Sequence, residues 1–225
     1  MSRRLMLFGI AASLAACQTT KQHSLTEADL KTLRFSQFDV GFAPDATVID
    51  PLGAMRWARG KLPPPEGGMT YDPANPNAQD PRMIEYGEKL QELAKTPQAT
   101  QAARAELVDK LKAEVATQLS AQSGGTRDVR VMLTIRSASV QGNQNDIVFE
   151  ASLFDKKTGQ PLTAPQSFQG TYTEARGGVG NSVAGMVVSF AVAAAINAYR
   201  GDPIVYMMRD GVTRFKTWLM QPAGG

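Results

Sequence analysis

A thiol, an imidazole and a scatter of carboxylates are the groups in this chain that could do chemistry. Cys17 is the only cysteine and His23 the only histidine, six residues apart near the start of the 225-residue chain. One thiol cannot close a disulfide within the chain, and one imidazole far from the body of the sequence leaves no material for His-dependent triads or the usual zinc ligand sets. Carboxylates remain. A pair of them can hydrolyse glycans, one as acid and one as base or nucleophile. Asp39, Asp45, Asp50, Glu150 and Asp155 are available, but their spacing singles out no pair. Glu150 alternates with Phe149 and reads as solvated, while Asp155 opens a turn. Gly177-Gly178-Val179-Gly180 lacks the Lys-Ser/Thr of a phosphate loop and the third glycine of a dinucleotide site. The expectation is a non-enzymatic protein with no cofactor and no metal.

The surroundings of Cys17 say more. Arg3 and Arg4 precede an apolar run from Leu5 to Ala12, and Leu14-Ala15-Ala16-Cys17 follows, the arrangement of a secretory signal with small residues before the cut. This ending resembles the bacterial lipobox. The resemblance covers residues 14–17 and implies removal of residues 1–16, with acyl chains placed on Cys17 as the lipidation site. Each buried methylene of such chains contributes about 0.8 kcal/mol, so several chains together hold a protein on a bilayer permanently. Gln18 stands where an Asp, by the same resemblance, favours retention at the inner membrane. The implied address is the outer membrane, lipid-anchored, periplasmic face.

The formal charge of +3 includes Arg3 and Arg4, and without them it is +1. No basic stripe suits nucleic acid, and none is expected as a partner. The 43% apolar content is ordinary for a packed domain.

The elements that would position these groups can be read from periodicity. Residues 17–32 are polar and aperiodic and read as a tether. Phe38, Val40 and Phe42 lie two apart, predicting a strand over residues 33–43. Eight of the thirteen prolines fall from Pro44 to Pro81, predicting a long Pro-rich loop. Trp57 and the run Pro63, Pro64 and Pro65 make that loop the candidate partner contact. Met83 to Lys95 reads as a helix halted by Thr96-Pro97. Leu107, Leu111, Val115 and Leu119, with Val108 beside them, give the next helix its apolar stripe. Val129, Val131, Leu133 and Ile135 alternate with polar residues, as do Ile147, Phe149, Ala151 and Leu153; a third strand through Phe168 and Tyr172 completes an antiparallel meander. Asp202 and Pro203 cap a final helix striped by Val205, Met208, Val212, Phe215 and Leu219. The predicted fold is α+β, a single domain over residues 33–221. Its small sheet has about four strands, antiparallel or mixed, with helices on one face.

One segment is ambiguous. Gly177 to Tyr199 carries no charge over 23 residues, long enough for a membrane span. Its glycines, Asn181 and Ser182 read instead as a capped entry to a helix over 183–199, apolar on two sides and buried from more than one direction. Val192 lies on one of those sides and Phe190 on the other, so both join the candidate partner contacts. What covers the second side stays open, the alternatives being the terminal helix, the Pro-rich loop or another molecule, either a second copy or another envelope protein.

Lipobox, polar segment, strand-helix-meander order and the turn Asp155-Lys156-Lys157-Thr158-Gly159 together resemble uncharacterised Gram-negative outer-membrane lipoproteins. Their domain is similar to the small α/β domain of the curli-secretion and penicillin-binding-protein-activator lipoproteins. The resemblance covers roughly residues 100–220. It implies protein contacts in envelope assembly, maintenance or secretion; a lipid or small-ligand binding module serving transport is the alternative.

Overall fold

The computed structural model describes residues 22–66, 80–120, 124–141, 144–173 and 202–222. Cys17, Phe190, Val192 and the whole 177–201 stretch lie outside the described residues. No helix among the described residues is long and apolar enough to cross a membrane.

A four-stranded mixed sheet with helices packed against it forms an α+β fold. In chain order the elements are α1 (Glu27–Thr32), β1 (Leu33–Ile49), α2 (Pro51–Lys61), α3 (Pro81–Ala94), α4 (Pro97–Ser120), β2 (Arg127–Gln141), β3 (Gln144–Asp155), β4 (Gln166–Thr173) and α5 (Pro203–Leu219). The strands lie in sequence order. β2, β3 and β4 form the expected antiparallel meander, while β1 joins β2 in parallel after the crossover through α2, α3 and α4. A parallel pair needs such a crossover, because its chain must return to the starting end of the sheet.

Alternation builds the core. Val129, Val131, Leu133 and Ile135 of β2 and Ile147, Phe149, Ala151 and Leu153 of β3 are buried against α4 and α5. Leu107, Leu111, Val115 and Leu119 meet them from α4, and Ala99 and Ala103 continue that row in the same four-residue steps. On α5 the buried stripe is wider than its spacing predicts, adding Ile204, Met207 and Trp218, whereas Val205 is half-buried. α2 packs on α4, and α3 on α2.

The crossing of α5 over β4 needs glycine on both elements. A β-carbon on Gly170 of β4 would sit 2.0 Å from the Met207 carbonyl oxygen, and one on Gly211 of α5 would sit 2.8 Å from the Phe149 ring. The helix therefore crosses the strand almost backbone to backbone. Beside that crossing, the Thr171 amide donates to the Asp210 carboxylate at 3.0 Å.

Both ladders of β2 break at Arg136. Ile135 pairs with Phe42 and Phe149, yet the next pairs are Ser137 with Thr47 and with Val148. Arg136 is thus an extra residue against β3, and Ala43 to Ala46 are extra residues on β1. The bulge turns the side-chain alternation over, so that Ala138 and Val140 are the inward residues beyond it. It also accommodates Pro44, which has no amide to give to a ladder.

Two expectations are corrected here. The 44–81 segment is not one loop: β1 runs on to Ile49, and Asp50 and Pro51 then start α2. Asp50 accepts from the Gly53 amide at 2.7 Å, a cap that overrides the general reading of proline as a breaker. The described part of the 17–32 tether is docked. His23 and Leu25 are buried, and Thr26 and Asp29 form a reciprocal capping box that starts α1.

Candidate functional site

The sheet's strands run between two ends, and each end gathers polar residues from distant segments. At the end where β1 finishes, α2 begins, α4 passes and α5 begins. Asp50, Arg56, Glu106, Lys110 and Asp202 meet there. One Glu106 carboxylate oxygen takes the Arg56 guanidinium at 2.9 Å and the other takes the Lys110 ammonium at 3.1 Å; Lys110 also pairs with Asp202. Asp202 caps α5 through the Ile204 amide at 2.9 Å.

These carboxyls are tuned in opposite directions. Burial raises the Asp50 pKa above the ordinary range, with the Gly53 amide and Arg56 offsetting only part of the effect. Its Oδ2 is buried without a hydrogen-bond partner. Burial also opposes ionisation of Glu106 and of Asp202, but their pKa values end below the ordinary range. Hydrogen bonds from Arg56 and Lys110 outweigh burial at Glu106, and those from Lys110 and the Ile204 amide do so at Asp202.

The arrangement has one carboxyl inclined to hold a proton and two held as anions. General acid-base pairs show the same divergence. Here, however, Glu106 and Asp202 are bound to the same lysine, and Asp50 Oδ2 faces the α2 backbone, where a β-carbon on Gly53 would lie 2.4 Å away. The cluster joins three helices. No group of three His, Cys, Asp or Glu residues suited to a metal occurs among the described residues.

The other carboxylates considered from sequence are dispersed over the sheet and its turn. Asp39 pairs with Arg130. Asp45 and Glu150 flank Arg136 at 3.4 and 2.8 Å, so the bulged arginine clamps β1 and β3 together. Asp155 accepts from the amides of Lys157 and Thr158 and from Arg127 at 2.7 Å; those bonds, Arg127's foremost, hold its pKa at about 2. It closes the turn in which Gly159 takes a φ of 71°.

The described ones among the predicted contact residues, Trp57 and Pro63 to Pro65, share one unit. Trp57 is half-buried on α2, with the Lys61 ammonium 5.9 Å from the ring centre. Pro63 and Pro64 are exposed and Pro65 half-buried just past α2. Tyr86 of α3 donates to the Leu62 carbonyl at 3.1 Å and Arg82 reaches the Glu66 carbonyl, which ties the proline run to α3. The exposed large apolar side chains of the described residues, Ile49, Leu52 and Ile84, belong to this same stretch at 44–46% exposure. Ile49 and Leu52 show no period in a Pro-rich stretch, and Ile84 lies on the helix after it, so no sequence pattern groups the three.

At the opposite end, His23 stacks edge-on against Trp218 with ring centres 4.9 Å apart, and Trp218 packs on Phe168 and Phe215. The Leu25 amide donates to His23 Nδ1 at 3.2 Å, which leaves Nε2 to donate to the Leu219 carbonyl at 2.9 Å. Gln22 donates to the Pro222 carbonyl at 2.7 Å. Beside this joint, Gln118, Thr213, Lys216, Thr217, Met220 and Gln221 line a shallow, open depression.

Comparison with protein families, curated proteins and solved structures finds no match to this chain.

Proposed function

We propose that this chain is a lipoprotein anchored at Cys17 on the periplasmic face of the outer membrane, without catalytic activity, working through protein contacts in envelope assembly, maintenance or secretion. The observation that supports contact work is the composition of the β1–α2–α3 unit. Ile49 and Leu52 flank the strand-to-helix junction, Ile84 lies on α3, and Trp57, Pro63 and Pro64 add apolar surface with little side-chain freedom to lose on binding. Apolar side chains that the fold leaves in water release that hydration when a partner covers them. The carboxylates support the same reading, because each one considered is committed to a cation or a backbone amide. The resemblance of residues 14–17 to a lipobox supports the anchor.

Crosslinking in intact envelopes followed by capture of the full chain tests it. The wild type is expected to bring down a defined partner that Leu52→Asp with Ile84→Asp loses, while the circular dichroism of the variant is unchanged. Capture of the bait alone would sink the reading. The mature N-terminus, read by mass spectrometry, is expected to be an acylated Cys17.

A further inference from the structure

The segment from Gln22 to Leu33 is fixed to the body of the domain. Gln22 and His23 are bonded to the carbonyls of Pro222 and Leu219 at the end of α5, Leu25 is in the core, and β1 begins at Leu33. Five Cα steps separate Cys17 from Gln22, and at full extension these span at most about 18 Å. The strands are much longer. β1 has 17 residues and β2 has 15, so the sheet extends roughly 45 Å from the His23 end to the Asp50 end at about 3.3 Å per residue.

Resting on the anchored reading above, we infer that the His23 end of the domain is a membrane-docking surface. It sits on the phospholipid leaflet that holds the acyl chains, with the sheet standing upright and the Asp50 end pointing away. The short connection from Cys17 reaches the bilayer only from this end. Lys156 and Lys157 are exposed in the turn here, and Lys216 borders the depression beside α5. Amines placed near the surface suit anionic headgroups. The arginines of β1 and β2 offer headgroups less, because Arg34, Arg130 and Arg136 are already paired with Asp128, Asp39 and Glu150. Upright docking also fixes where contact work happens. Ile49 and Leu52 would stand tens of ångströms above the leaflet, clear of the headgroups and open to a partner in the aqueous space.

The test uses the acylated full chain in vesicles of phosphatidylethanolamine and phosphatidylglycerol containing a lipid with a nitroxide on its headgroup. With Cys17 acylated, a cysteine introduced elsewhere is the only free thiol. A bimane fluorophore is placed at Lys157→Cys, at Thr217→Cys or at Leu52→Cys, all exposed positions. Quenching is expected to be several-fold stronger at 157 and 217 than at 52. Equal quenching at all three, or stronger quenching at 52, would overturn the orientation while leaving the anchor standing. Thr217→Cys disulfide-linked dimers with no lipid quenching would assign the surface to a second copy and likewise overturn the proposal. Failure of the wild type to float with vesicles would remove both the anchor and the orientation.

Discussion

At one end of the sheet, His23, Trp218, Phe168 and Phe215 interlock by ring contacts, whereas at the other Asp50, Arg56, Glu106, Lys110 and Asp202 are joined by charge. Both ends solve the same problem of holding segments far apart in sequence. The aromatic joint ties residues 22 and 23 to residues 218–222, and the ionic joint ties the starts of α2 and α5 to the middle of α4. Ring packing is dry and short-ranged, so it resists salt. An ionic joint near water is weaker and responds to both salt and pH. The contrast suits a molecule fixed at one end and available at the other.

The comparison can be broken from the aromatic side first. Trp218→Ala removes the ring at the centre of the joint and is expected to cost about 3–5 kcal/mol in urea denaturation. It should also make the peptide bonds around residues 22–32 open to protease in native buffer. A loss no larger than that of a surface substitution would show that the rings do not hold this end. His23→Ala removes one edge-to-ring contact and one hydrogen bond, and about 2 kcal/mol is expected. At the ionic end, Arg56→Ala should cost less than about 1 kcal/mol, and that small difference should vanish in high salt. If it matched Trp218→Ala, the contrast between the ends would be wrong.

Acid titration sharpens the same comparison through one carboxyl at each end, Asp155 and Asp50, which are shifted in opposite directions. Asp155, near the aromatic end, has its pKa lowered to about 2. Its contribution is present above the unfolded value near 4 and is lost as pH falls from there towards 2. Asp50 has its pKa raised by burial. Its folded form holds the proton more tightly than the unfolded chain, so its contribution is complete below about 4 and is lost as pH rises through the folded value. Arg127→Ala is expected to flatten the acid limb, and Asp50→Asn to flatten the decline on the other side. Measuring urea midpoints from acid to neutral pH separates them, and parallel curves for wild type and Asp50→Asn would contradict the raised pKa.

Local pattern was legible and long-range meeting was not. Val129 to Ile135 and Ile147 to Leu153 alternate cleanly enough to show two strands, and Leu107 to Leu119 shows a helix, because one partner layer buries each. β1 beyond Ala43 was obscured by Pro44, which reads as a strand end until the bulge that houses it is seen. α2 was obscured by the density of prolines, although Asp50-Pro51 is itself a helix-start signal. No period could reveal the docking of His23, whose partners lie at the far end of the chain. The ionic joint was equally hidden: residues 50, 106 and 202 converge only once β1 lies beside β2. Of the predicted contact residues, Trp57 and Pro63 to Pro65 fall on one surface unit, while Phe190 and Val192, like the lipidation site Cys17, lie outside the described residues.

The Asp210 carboxylate on the Thr171 amide has a consequence for what the sheet can become. Thr171 lies on β4, the last strand in the order, and an outward amide on a last strand is a template on which a foreign strand can hydrogen-bond and extend the sheet. A carboxylate rooted on a neighbouring helix occupies that amide and sets a negative charge where an incoming carbonyl would have to lie. At this position of β4, that carboxylate disfavours strand-by-strand extension of the sheet formed by the described residues.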